Sequence, residues 1–172
     1  MNKPALIDFY KHMEWADATV WRAALTLENA RTDVKLREAF HHLHLVQRAF
    51  LRVWRDEPRD APYPTFEDTA ALRQWGQTYY AEADAQLAAW NEAQIVEKMN
   101  VPWAAIVEKQ LGRAPEANTL GETAMQVVFH TLYHRGQINA RLRELGGTPP
   151  LVDYIAWVWL GRPAAEWPSF DA

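Results

Sequence analysis

The chain has 172 residues, of which 49% are hydrophobic and 23% charged, a balance typical of a single globular domain spanning residues 1–172. Its 18 lysines and arginines are outnumbered by 22 aspartates and glutamates, and the net charge of −4, without a basic cluster, argues against a nucleic-acid partner. Cysteine is absent, which excludes disulfides, thiolate nucleophiles and sulfur-liganded zinc.

The N-terminus and the longer apolar stretches show no sign of export or membrane insertion. Residues 1–8 lack the apolar core of a signal peptide. Charged residues interrupt every longer apolar stretch before the roughly 18 residues that a membrane-spanning helix needs. Together with the lack of cysteine, this predicts a cytoplasmic protein without a membrane partner.

Apolar residues recur three and four positions apart in the first half of the chain, the pattern of helices with one buried face. The first predicted helix runs from Ala5 to Leu27, and a short polar connection follows at residues 28–32. The second predicted helix runs from Asp33 to Arg55. Three prolines predict a loop from Asp56 to Thr65. Thr65 is then the predicted N-cap of a third helix that continues through Trp90.

The second half contains one segment without a clear period and one long helix. Prolines and a glycine divide Asn91 to Asn118 into short pieces, such as a helical turn and an extended segment. A capping box at Thr119 and Glu122 starts a fourth helix, which ends at Leu145 before two glycines. Asp153 to Leu160 forms a short aromatic C-terminal helix in this interpretation. The sequence therefore predicts an all-α fold, a four-helix bundle with a short C-terminal helix.

Two histidines on the fourth helix lie four residues apart, at His130 and His134. At about 100° per residue, this spacing places both rings on one face of the helix, one turn apart, where two nitrogens can reach one cation. The residues between them include no glutamate, so the pair is not the H-E-x-x-H motif of zinc proteases. The alternative is a packed histidine pair, but two unliganded rings in an apolar stretch are costly to bury.

A third ligand is expected from the second helix, because a tight site needs at least three protein ligands. Periodicity leaves His42 and His44 as competing candidates, since each lies near the apolar stripe. His41 fits a surface position, and His12 on the first helix fits a half-buried polar position.

Three motifs resemble those of the DinB family. The run from His130 to Ile138, H-T-L-Y-H-R-G-Q-I, followed by a glycine-proline turn at 146–150, is similar to the family's C-terminal motif. Trp15-Ala16-Asp17 resembles the W-A-N of its opening helix, and residues 42–48 resemble its second-helix stretch. Only residues 91–118 match nothing recognisable, so the resemblance covers nearly the whole chain.

The resemblance implies a bundle that binds a divalent metal, often zinc or nickel, through three histidines. Carried over residue by residue, the ligands are His42, His130 and His134. Gln47 stands where the family often has an acid, so an ionisable group is missing there, although its amide could still orient a bound water. Family members commonly form homodimers, which is the expected assembly here.

A structural role is favoured for each of four residues near these motifs. Arg135 is expected to pair with a carboxylate of the bundle rather than with an anionic substrate, and Gly136 to allow close helix approach. Trp15 is expected in the core, and Glu122 in a helix cap rather than as a catalytic base.

Three histidine ligands leave a coordination position for water or substrate, the arrangement of catalytic sites. Because the resemblance also implies relatives that are thiol-dependent transferases and isomerases, we expect a metal-dependent hydrolase or thiol transferase with a small-molecule substrate, in which a thiol could take part. No catalytic residue is identified. The alternative is a non-catalytic metal-binding protein of a stress response.

Overall fold

Helices make up most of the protein in the computed structural model, which describes residues 2–58 and 60–169. Within these residues the elements are, in chain order, α1 (Lys3–Leu25), α2 (Glu28–Thr32), α3 (Val34–Trp54), α4 (Thr69–Ala89), α5 (Glu92–Ile95), β1 (Lys98–Met99), α6 (Ala104–Leu111), β2 (Asn118–Thr119), α7 (Leu120–Glu144) and α8 (Tyr154–Trp159). Arg59 in the predicted loop, and residues 170–172 at the end of the predicted domain, lie outside the described residues.

The four long helices α1, α3, α4 and α7 form a bundle, which confirms the predicted fold class. Helix α3 packs against α4 and α7, and α1 packs against the same two helices from the other side. The short helix α8 follows near the C-terminus, as expected. In the described part of the chain, no helix combines the length and the apolar character needed to cross a membrane.

Polar side chains cross the middle of the bundle between two apolar clusters. One cluster takes one end of each long helix, at Leu6, Leu51, Leu87 and Ala124, and the other cluster takes the opposite ends, at Ala24, Leu36, Leu72 and Leu142. Helices α1 and α7 therefore run in one direction, and α3 and α4 run in the other. The connection between α3 and α4, residues 55–68, must return along the length of the bundle.

Local capping interactions set the helix ends that the sequence predicts well. Thr119 and Glu122 form the expected capping box, each accepting from the other's backbone N–H. Helix α7 is followed by Gly146, whose φ of +85° favours glycine. The amide of Gly147 donates to the Leu142 carbonyl at 2.9 Å. These interactions involve only neighbouring residues, so they are visible in the sequence.

Two sequence expectations about local structure are wrong. The N-cap of α4 is Asp68, whose carboxylate accepts from Ala70 and Ala71, so the helix starts later than the predicted Thr65. The expected polar connection at 28–32 is the short helix α2. The segment 91–118 consists of short pieces, as expected: it contains the helices α5 and α6, and its strand β1 pairs antiparallel with β2, with Lys98 opposite Thr119 and Met99 opposite Asn118.

A glycine allows two helices to approach closely, but it is Gly76 of α4 and not Gly136 as expected. A Cβ atom at Gly76 would lie 2.3 Å from Nε2 of His44 in α3, well inside contact distance. A Cβ atom at Gly136 would meet nothing within 4 Å, and this residue is exposed. The close approach is therefore between α4 and α3.

Matched Gly→Ala variants should distinguish these two positions. Gly76→Ala should lower the free energy of unfolding by about 2 kcal/mol or more, because the ring of His44 has no space to move aside. Gly136→Ala should raise it by up to about 1 kcal/mol, through the higher helix propensity of alanine. Urea denaturation of both variants measures the difference, and equal effects would contradict the assigned packing.

Candidate metal centre

Three histidine side chains from two helices come together at one edge of the bundle. His42 of α3 and His130 and His134 of α7 each offer a ring nitrogen, and these nitrogens all lie within 4.8 Å of one another. The Nε2 atoms of His130 and His134 are 3.1 Å apart. The ring centroids of His42 and His134 are 4.5 Å apart. The one-turn spacing on α7 and the packing of α3 against α7 thus produce the arrangement expected for these residues.

Gln137 fixes the orientation of the His134 ring. Its Oε1 atom lies 2.7 Å from Nδ1 of His134, one helical turn away along α7. Because an amide oxygen can only accept, Nδ1 carries the proton and donates it to Gln137. The Nε2 atom of His134 then carries a lone pair, which faces Nε2 of His130 at 3.1 Å. Such a partner behind a ligand commonly sets the tautomer in metal sites.

The surroundings favour the neutral form of His42 and His130. Burial and, to a smaller extent, the neighbouring rings of His134 and His42 together lower the pKa of His130 to about 4. Burial also lowers the pKa of His42, with His134 again contributing. Neutral imidazole is the form that binds metals, so these two ligands need lose no proton near neutral pH.

The donor set fits a transition-metal ion. Nitrogens that lie about 2.0–2.1 Å from a zinc ion at tetrahedral angles are about 3.4 Å apart, so the cluster needs only small side-chain adjustments. Three imidazoles without a carboxylate suit zinc, nickel or copper better than the hard cations magnesium and calcium. His130 also has a buried Nδ1 atom without a hydrogen-bond partner in the described part of the chain.

His44, the competing candidate, belongs to the core and not to this cluster. Its side chain is fully buried, Trp21 Nε1 donates to its Nε2 at 3.0 Å, and its Nδ1 lies 2.8 Å from Oε1 of Gln47. Both ring nitrogens are therefore used. His42 and His44 are two residues apart, so they point to roughly opposite sides of α3.

Gln47 does not lie at the histidine cluster. It belongs to the polar layer in the middle of the bundle, which consists of Asp17, His44, Gln47, Tyr80, Thr131 and Arg135. Its amide nitrogen has three oxygen atoms within 3.2 Å, from Asp17, Tyr80 and Thr131, and its oxygen faces His44. The expected option that it orients a metal-bound water does not fit this position. An amide suits the layer, because it can donate to the carboxylate of Asp17 where an ionised acid could not.

Arg135 forms the expected pair with a bundle carboxylate, and its partner is Asp17 of α1. The Nε atom of Arg135 donates to Oδ1 of Asp17 at 2.9 Å, and both residues are 2% exposed. Tyr80 also donates to Asp17. Sequence reasoning missed Asp17 and Tyr80, although the aspartate on the apolar face of α1, next to Ala16, is an available signal.

The remaining expectations are largely confirmed. Trp15 is buried and packs against Trp157 of α8. His12 is more buried than expected, bonds the Val152 carbonyl at 2.9 Å and lies outside the cluster. His41, which is expected at the surface, is half-buried and stacks on Trp75.

A cavity of about 620 Å³ opens beside His130. Its walls come from α3 and α7, at positions that include Val46 and Gln126, and the segment between β1 and β2 lies across it. The volume is in the range of ligand pockets. The histidine cluster thus borders a space large enough for a small molecule.

Comparison with known proteins supports the resemblance in the motifs. The sequence model of the DinB family matches residues 1–164, nearly the whole chain. No curated protein and no solved structure matches.

Replacement of Gln47 by glutamate should test the polar layer. Gln47→Glu places a second carboxylate beside Asp17, so it should lower the free energy of unfolding by about 3 kcal/mol at neutral pH. This loss of stability should shrink as the pH falls. The new carboxyl has a higher pKa in the folded protein than its unfolded value of about 4.3, so the folded state binds the proton at a higher pH than the unfolded state does.

The exposed Gln74 provides the matched control. Gln74→Glu should change stability by less than about 0.5 kcal/mol at any of these pH values. Urea denaturation between neutral and acidic pH measures both variants. A Gln47→Glu variant as stable as the control at neutral pH would contradict the assigned network.

Proposed function

The chain belongs to the DinB family, and on that basis we propose that it is an enzyme dependent on a divalent metal that acts on a small molecule. The proposed ligands are His42, His130 and His134, and the proposed metal is zinc or nickel. The reaction class is hydrolysis or thiol transfer. The observation that carries the proposal is the meeting of three imidazole nitrogens beside a cavity.

Three protein ligands are one fewer than a closed structural zinc site uses. A fourth or fifth position is then left for an exchangeable molecule, and His130 lines the cavity from which such a molecule would come. A divalent ion held there would lower the pKa of a water or thiol bound to it and so supply a nucleophile near neutral pH. An open position beside a cavity supports catalysis over metal storage.

The protein's own residues would orient the site. Gln137 holds the ring of His134 through Nδ1. The pair of Arg135 and Asp17 fixes the rotation of α7, on which two of the three proposed ligands lie. The structure offers no carboxylate in the histidine cluster among the described residues, so a general base is not assigned.

A graded set of variants should test the ligand assignment. Wild-type protein purified without an affinity tag should bind about one equivalent of zinc or nickel. His42→Ala should lower the affinity by more than about 100-fold, and Gln137→Ala by about 10-fold to 100-fold, as expected for a partner behind a ligand. Isothermal titration calorimetry with each metal measures these affinities.

His41→Ala is the matched control, because His41 neighbours His42 in sequence but lies outside the cluster. It should bind metal as the wild type does. Wild-type protein that binds no metal, or a His42→Ala variant that binds as tightly as the control, would contradict the assignment.

Exchangeable ligands on the metal should separate catalysis from simple metal binding. The absorption spectrum of Co²⁺-loaded protein should change on addition of azide or 2-mercaptoethanol, because an open coordination position accepts either molecule. A spectrum that neither ligand changes would contradict the enzyme proposal and favour the non-catalytic metal-binding protein of a stress response.

A further inference from the structure

The cavity beside His130 follows the groove between α3 and α7. Along α7 it is lined by His130, Gln126 and Glu122, which are one turn apart, and along α3 by Val46 and Ala49. Glu122 and His130 are eight positions apart, which corresponds to about 12 Å along the helix. The cavity therefore extends from the histidine cluster towards the start of α7.

The segment between β1 and β2 covers this groove. Val101, Trp103 and Val107 contribute to the cavity lining, and Trp103 meets Phe50 edge-on with ring centroids 4.9 Å apart. The space of about 620 Å³ between these elements is open to solvent and lined mainly by apolar side chains. Its size and apolar walls are those of a ligand site.

The charges around the cavity limit what it can bind. No lysine or arginine occurs among its lining residues in the described part of the chain, whereas Glu122 lies in the lining. Hydrogen bonds from the backbone and hydroxyl of Thr119 lower the pKa of Glu122, so its carboxylate is charged at neutral pH. An anionic group held beside Glu122 would be repelled by this carboxylate, and no lysine or arginine of the described lining would offset the repulsion.

We propose that this cavity binds the apolar, uncharged acyl or aryl body of the substrate, with the substrate's polar head at the histidine cluster. A cellular thiol that carries carboxylates does not occupy it. The position of the head rests on the proposed function, because it requires the metal. The binding of the apolar body depends only on the cavity between α3, α7 and the covering segment.

The cavity alone is tested with the neutral fluorophore N-phenyl-1-naphthylamine and metal-free protein. Its fluorescence should rise on binding to the wild type. Ala49→Trp, which fills the space from α3, should weaken binding at least tenfold. Val107→Trp fills it from α6, where no residue is buried, so it should do the same without disturbing the core. Ala85→Trp, at an exposed position of α4, should bind as the wild type does.

The link between cavity and metal is tested with alkyl hydroxamic acids of increasing chain length on Ni²⁺-loaded protein. Each added methylene should tighten binding about threefold to fourfold until the cavity is filled, the factor expected for burying one such group. In Ala49→Trp and Val107→Trp the affinity should no longer depend on chain length. Glutathione, an anionic thiol, should not displace the fluorophore.

The two proposals fail in different ways. Fluorophore binding that is weakened by both tryptophan variants, together with no metal binding, would overturn the proposed function and leave the apolar site intact. Fluorophore binding that neither variant affects, or displacement by glutathione, would overturn the apolar site. A hydroxamate series of constant affinity on metal-loaded protein would also overturn it.

Discussion

The buried ion pair between Asp17 and Arg135 is the contact on which the orientation of the site depends. Two charges in an apolar core are expensive to desolvate, and such a pair is tolerated only when its remaining hydrogen bonds are satisfied. Tyr80 and Gln47 supply them at the second oxygen of Asp17. The layer therefore connects all four long helices. Because Arg135 must point into the core, His134, one residue earlier and about 100° away, is directed towards α3.

The same layer selects between the two histidines of α3. His44 is held by Trp21 from α1 and by Gln47, and the missing side chain of Gly76 gives its ring room beside α4. With His44 directed into the core, the opposite side of α3 carries His42 to the edge where α7 presents its pair. A stable buried layer thus places the proposed ligands without itself contacting a metal.

Much of the fold follows from local patterns, whereas the site follows only in part. The helical period gives the four long helices, and neighbouring residues give the capping box at Thr119 and the spacing of His130 and His134. The choice between His42 and His44 needs partners from other helices, which periodicity along α3 does not contain. The same limit applies to the role expected for Gly136, because close approach depends on what lies opposite. Residues 91–118 lack a period because their elements are short: α5 has four residues, α6 has eight, and β1 has two residues that pair with β2.

The two parts of the proposed site are held by different interactions. The histidine cluster is fixed by the polar layer and the long helices, whereas the segment over the cavity is attached by a two-residue ladder and by the contact of Trp103 with Phe50. Helix α6 has no buried residue, so it adds little to the core. Its apolar residue Val107 faces the cavity, where a bound ligand would bury it. The proposed chemistry therefore depends on the bundle alone, whereas the proposed binding of the apolar body depends on α3 and α7 together with this segment.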